Sequence, residues 1–176
     1  MVSIREAIAA DWPAVWAILE PVFHAGETYV VSPDITENQA HSYWMEIPLA
    51  TFVALDDDGT VLGTYYLKPN QAGGGAHVCN CGFAVGERAR GRGVASQMCE
   101  HSQSEAVKRG FSAMQFNFDV STNETAVRLW KRCGFEVVGT LPSAFLHPRL
   151  GYVDAHVMFK RLDAQQALPA DAPKVS

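Results

Sequence analysis

Between residues 88 and 95 the chain reads Arg88-Ala89-Arg90-Gly91-Arg92-Gly93-Val94-Ala95, arginines alternating with small residues. An apolar run precedes this segment and an amphipathic one follows, so it is predicted to join a strand to the N-terminus of a helix. Unpaired backbone N–H groups and the helix dipole attract an anion there. Glycine lets the backbone approach phosphate oxygens, and the arginines gather positive charge in a chain whose formal net charge is -5. A bound phosphate or pyrophosphate is the expectation; an exposed basic turn is the plainer reading. A triphosphate loop needs Gly-Lys-Ser/Thr at its end, where Val94 and Ala95 stand. A dinucleotide fingerprint needs a third glycine where Ser96 stands.

A second polar set lies downstream. Met114, Phe116, Phe118 and Val120 alternate with Gln115, Asn117 and Asp119, the period of a strand with one core face and one polar face. The run 121–135 spaces Asn123, Ala126, Leu129, Trp130, Gly134 and Phe135 as a short helix and its stop, which alone implies only a packed helix. Cys79, Cys81, Cys99 and Cys133 include a C-x-C pair but no C-x-x-C, and the histidines form no H-x-x-x-H pattern. Reduced, mostly buried thiols and no metal site are expected.

In this order and spacing the two runs resemble the motifs of the GNAT family of N-acetyltransferases. Those motifs are Gln/Arg-x-x-Gly-x-Gly/Ala after a bulged strand and Asn-x-x-Ala-x-x-Leu-Tyr-x-x-x-Gly-Phe downstream. The resemblance implies acetyl-CoA as co-substrate, no metal, and a small-molecule amine as acceptor. By position, the backbone of Arg90, Gly91, Arg92, Gly93, Val94 and Ala95 would hold the pyrophosphate. Phe83 and Val85 would pair with the pantetheine like an added strand, with Gly82 marking the splay. In this family the amine attacks the thioester directly, a strand amide polarises the carbonyl, and a tyrosine often protonates the leaving thiolate. Trp130 occupies that tyrosine position, and an indole N–H is no useful acid. Asn123 is therefore the candidate catalytic residue, holding a water for the thiolate and also contacting the cofactor. His24, Glu27 and His77 are candidates for a general base, and none is assigned.

The segments HVCNCGFAV, RARGRGVA and FNFDVSTN are more narrowly similar to fungal and bacterial acetyltransferases that detoxify the proline analogue azetidine-2-carboxylate. By that similarity Asn80 and Asn117 bind the substrate carboxylate, neutral amides adding no buried charge of their own. The competing reading is that both asparagines cap loops. Three other functions stay open: acetylation of peptide N-termini, acetylation of a xenobiotic amine, and a non-catalytic acyl-CoA-binding regulator. A peptide acceptor needs a long groove, which Tyr29, Trp44 and Phe145 are placed to close.

These residues need a scaffold, and 176 residues at 48% hydrophobic content can bury a core of one domain. The fold class expected is α/β, a GNAT-type mixed, central splayed β-sheet flanked by helices, in one domain over 1–162 with a disordered tail at 163–176. Strands are predicted at 2–6, 51–55, 60–67, 78–85, 114–120, 135–141 and 153–159. Asp11 with Pro13 begins one helix, and Thr36 with Gln39 has the capping-box spacing for another. A helix over 94–109 has one buried stripe at Val94, Met98, Ser102 and Ala106, with Ala95 and Cys99 alongside, and another helix covers about 123–132. The residues between the last two strands, 141–152, are predicted as a Pro-containing loop. Neither an apolar leader nor an 18-residue apolar run is present, so a cytoplasmic protein without membrane partners is expected. The acidic balance argues against a nucleic-acid partner. A homodimer through the last strands follows from the resemblance.

Overall fold

In a computed structural model of the chain, which describes residues 2–162, one seven-stranded sheet runs in the order β1-β2-β3-β4-β5-β7-β6. The strands are β1 (Ser3–Glu6), β2 (Ala50–Leu55), β3 (Val61–Pro69), β4 (Val78–Val85), β5 (Ala113–Val120), β6 (Glu136–His147) and β7 (Gly151–Arg161). The helices are α1 (Trp12–Ala25), α2 (Glu37–His41), α3 (Val94–Lys108) and α4 (Glu124–Arg132). The tail expected at 163–176 lies outside the described residues. Only β4 and β5 run parallel, so the sheet is mixed, as the fold-class expectation requires.

Local chemistry sets the element ends. The β2–β3 turn is held by the Asp56 carboxylate, which accepts the N–H groups of Asp58 and Thr60. At α2, Thr36 and Gln39 bond reciprocally as a capping box. Asp11 does stand before α1, yet its carboxylate does not cap the helix. It accepts the Ile8 N–H and both arms of the Arg5 guanidinium, which holds it below the usual carboxylate range.

The sheet carries two cores. Val15, Leu19 and Phe23 of α1, Ala40 of α2 and Trp44 in the wide turn after it pack on Val53, Tyr66 and Ala84. On the opposite face Val94, Met98 and Cys99 of α3 and Val127 and Trp130 of α4 pack on Tyr65, Leu67, Cys81, Met114 and Phe116. Alternation along each strand divides the two sets, and neither face is left to solvent near the middle of the sheet.

Two expectations need correction. The alternation in β5 breaks: between the pairs Phe116–Met158 and Asp119–His156, β5 spends two residues where β7 spends one. This β-bulge puts Asp119 on the same face as Phe116, toward α4, where strict alternation placed it on the polar face with Asn117. Phe118 is displaced and packs on Phe145. The predicted loop over 141–152 is mostly strand, because β6 and β7 continue to a short turn at 148–150. Pro142 is tolerated because β6 is an edge strand and bulges there, the Asp154 carboxylate accepting the Ser143 N–H at 2.8 Å.

Candidate active site

β4 and β5 pair only at Val78–Ala113 and Cys79–Met114, and beyond those pairs the ladder stops. On its other side β4 stays in register with β3 over residues 79–85 without a shift. The Gly86 N–H donates to the Leu62 carbonyl, so the peptide groups of residues 82, 84 and 86 face β3 and those of 81, 83 and 85 face the gap. The Phe83 carbonyl agrees, accepting the Tyr29 hydroxyl at 2.8 Å. The N–H groups of Phe83 and Val85 therefore point into the gap with no ladder partner among the described residues. The bulge expected in this strand is absent. Glycine is needed at Gly82 for another reason: a Cβ there would lie 2.6 Å from Cε1 of the Tyr66 ring, which covers it.

Downstream of β4 the chain turns through residues 86–93 into α3. Gly91 and Gly93 sit at φ 75° and 76°, where an L side chain is strained. The N–H groups of Arg90 and Arg92 bond back within the turn. Those of Gly91, Gly93, Val94 and Ala95 find no acceptor among the described residues. Arg88, Arg90 and Arg92 are exposed, and no acidic side chain pairs with them among the described residues. The predicted pyrophosphate loop is thus a set of free donors at a helix N-terminus, beside a strand edge that also has free donors.

The face of the sheet that bears Tyr66 carries a polar strip. Lys68 lies directly opposite Asn80 in the β3–β4 register. Asn80 is buried, and its Nδ2 donates to the Gln115 carbonyl at 2.9 Å, a side-chain rung just past the last β4–β5 pair. Gln115 Nε2 donates to Asn117 Oδ1 at 2.8 Å, and Asn117 Nδ2 donates to Asn70 Oδ1 at 2.6 Å. Neither Asn80 nor Asn117 caps a loop. The Lys68 ammonium stands 5.3 Å from the Tyr66 ring centroid and 6.0 Å from that of Tyr43, with no carboxylate at ion-pair distance among the described residues. An open hollow of about 490 Å³ adjoins it, lined by Ile47, Lys68, Asn70 and Ala76. Asn123 is elsewhere: it caps α4, its Oδ1 accepting the Ala126 N–H at 3.4 Å.

Asp119, turned inward by the β5 bulge, meets Trp130. The indole Nε1 donates to Oδ1 at 3.1 Å, while Oδ2 is shielded from solvent and has no hydrogen-bond partner. Burial pushes this carboxyl up to about 7, the Trp130 bond opposing part of the rise. The Trp130 ring lies 4.9 Å from the Phe83 ring, and the Asp119 charge is near enough to disfavour the Tyr29 phenolate. Burial already holds that phenol well above its ordinary value, so Tyr29 is a neutral donor. Sequence reasoning missed Asp119, Lys68 and the role of Tyr29. Trp130 was the available signal, because a buried indole N–H needs an acceptor.

None of the candidate bases bonds to Asp119, Lys68, Asn80 or Asn117 among the described residues. His24 meets the Ile35 carbonyl at 3.3 Å, Glu27 pairs with Arg149 at 2.7 Å, and His77 is exposed. Of the proposed groove walls, Trp44 is fully buried and bonds Thr64, and Phe145 is buried on β6. The four thiols are unpaired, and no cluster of His, Cys, Asp and Glu suited to a metal ion occurs among the described residues.

A family model described as "Acetyltransferase (GNAT) family" matches residues 5–135. Among curated proteins, the chain is 29% identical over 148 residues to the N-acetyltransferase aca1 of Schizosaccharomyces pombe, covering 75% of this chain and 71% of that protein. Among solved structures, it matches a GCN5-related N-acetyltransferase from Kribbella flavida at TM-score 0.86 and 47% identity, over 91% of this chain and 97% of the other. A phosphinothricin acetyltransferase from Sinorhizobium meliloti in complex with AcCoA shares the fold at TM-score 0.79 and 19% identity, over 91% of this chain and 88% of the other.

Proposed function

The chain belongs to the acetyltransferase (GNAT) family and is an N-acetyltransferase, and on that premise we propose that it moves the acetyl group of acetyl-CoA onto the nitrogen of a small amine bearing a carboxylate, such as the cyclic imino acid azetidine-2-carboxylate. The carrying observation is the unpaired edge of β4, which leads to unpaired N–H groups at the start of α3. The pantetheine arm, itself a chain of amides, completes the ladder at Phe83 and Val85 as an added strand would. The free N–H groups of Gly91, Gly93, Val94 and Ala95 hold the pyrophosphate, helped by the side chains of Arg88, Arg90 and Arg92. A strand N–H facing the gap is preorganised to polarise the thioester carbonyl as the amine attacks.

The acceptor reading rests on Lys68, Asn80 and Asn117, which share one face of the sheet. A cation without an ion-pair partner beside two carboxamides is a carboxylate-binding set, and the Asn70–Asn117 bond is what an incoming carboxylate displaces. The exposed Val138 and Leu146 of β6 and Tyr152 of β7 support a homodimer through that end of the sheet.

Comparing kcat/KM for azetidine-2-carboxylate with that for its carboxamide tests the acceptor class. A charge-assisted contact is worth about 1.5–3 kcal/mol, so the acid should be preferred by roughly 10- to 100-fold, and Lys68→Met should remove most of that preference. Equal kcat/KM for acid and amide would exclude a carboxylate subsite.

A further inference from the structure

The transfer leaves one proton to be moved: the attacking nitrogen must lose it and the departing thiolate must gain it. Trp130 cannot serve as the acid, and the carboxamide of Asn123, which caps α4 through Oδ1, can donate a hydrogen bond but carries no transferable proton. One titratable group stands beside the gap with an oxygen uncommitted. Asp119 bonds Trp130, whose ring lies against Phe83, and its charge is felt at Tyr29, whose hydroxyl bonds the Phe83 carbonyl. Asp119 therefore lies on β5 beside Trp130, the ring that packs on Phe83 at the open edge of β4.

We propose that Asp119 carries the proton of the transfer step, giving it from Oδ2 to the departing CoA thiolate and recovering it from the acceptor nitrogen. The inference rests on the acetyl-transfer reading and not on the class of acceptor. The amine lone pair forms the C–N bond while the carbonyl π pair moves to oxygen. As that pair returns, the C–S bond breaks, its electrons stay on sulfur, and the Asp119 proton joins them to give the CoA thiol. The carboxylate then takes the proton from the acylated nitrogen, which restores Asp119 and leaves the amide. Nitrogen and sulfur are bonded to the same carbon in the tetrahedral intermediate, so one carboxyl group can serve both.

The surroundings suit this task. A carboxyl group near 7 is a stronger acid than a thiol of roughly 8.5, so transfer to the thiolate is downhill. Trp130 holds Oδ1 and leaves Oδ2 as the reacting atom. Other titratable groups around the site are Tyr29 from the α1–α2 segment, Cys81 on β4 and His156 opposite on β7, whose ring bonds Thr140. Burial keeps Tyr29 and Cys81 neutral, and the charges of Glu124 and Arg128 on α4 pair with each other.

The test compares wild type, Asp119→Asn and Trp130→Phe at saturating acetyl-CoA, with azetidine-2-carboxylate, its carboxamide and a simple secondary amine. Asp119→Asn should lower kcat by about 100- to 1,000-fold while the acetyl-CoA Kd stays within about threefold. The wild-type kcat/KM should rise with pH and flatten near neutrality. That bend should vanish in Asp119→Asn, because only the ionisation of the acceptor amine then remains. Trp130→Phe removes the bond favouring the carboxylate, so the bend should move to higher pH. An Asp119→Asn enzyme with kcat within about threefold of wild type, a bend that persists in it, or a loss traced to acetyl-CoA binding would overturn the assignment. Turnover only of amines lacking a carboxylate would remove the acceptor reading and leave this test to be run on those amines, whereas a wild type that acetylates nothing would overturn both.

Discussion

Replacing Asp119 by asparagine should make the protein more stable at neutral and alkaline pH even as it weakens the enzyme. An ordinary aspartate titrates near 3.8, and burial carries Asp119 to about 7. Below the lower value both folded and unfolded chains hold the proton and the site costs nothing. Between the two values the unfolded chain ionises while folded Asp119 keeps its proton, so stability falls as pH rises, and above the folded value the penalty is constant. A shift of about three pKa units at about 1.4 kcal/mol each gives an upper bound of roughly 4 kcal/mol. Part of that is already present at about pH 5, so the advantage of Asp119→Asn should grow by about 2–3 kcal/mol between about pH 5 and pH 8. The new amide NH2 replaces an unpartnered oxygen, which adds an offset independent of pH. Urea unfolding followed by tryptophan fluorescence at several pH values measures the difference, and the other carboxylates cancel because both proteins share them. A difference that does not change with pH would show that Asp119 is not held protonated by the fold, and would refute the electrostatic reasoning.

Four further outcomes are expected. Gly82→Ala forces the Tyr66 ring off β4 and should cost about 1–3 kcal/mol in urea unfolding, with part of the loss recovered by Tyr66→Leu; an unchanged midpoint would mean the ring moves freely. Gly91→Ala meets no atom within 4 Å but strains a positive φ, so calorimetry should show acetyl-CoA affinity falling by about tenfold with little loss of stability. Asn117→Ala should raise KM for azetidine-2-carboxylate by about 10-fold or more without lowering the melting temperature, and an unchanged KM would remove Asn117 from the site. Asn123→Ala removes an N-cap worth about 1 kcal/mol and should also lower kcat, and a kcat equal to that of the wild type would remove Asn123 from the transfer step.

The fold was legible where side chains carry local rules. Thr36 and Gln39 marked a helix start, and Val94, Met98, Ser102 and Ala106 a buried helical stripe. Residues 88–95 announced a turn with free N–H donors at a helix N-terminus, because arginine, glycine and a helix start coincide in sequence. The inner half of the site was less visible because nonlocal pairing creates it. Asp119 reads as a surface residue in an alternating strand until the partner β7 proves one residue shorter across the bulge, which no pattern within β5 reveals. Lys68 and Asn80 become neighbours only through the β3–β4 register. The extension of β6 past Pro142 depends on its place at the sheet edge, and that too is a property of the assembled sheet.

Acetyl transfer itself is tested most directly by following CoA thiol release from acetyl-CoA with azetidine-2-carboxylate, proline analogues, aminoglycosides and a peptide N-terminus as acceptors, with mass spectrometry of the products. The account predicts thiol release coupled to an N-acetylated product that carries a carboxylate, with cyclic imino acids preferred. Tight acetyl-CoA binding without thiol release for any amine would contradict it and mark the chain as a binding module.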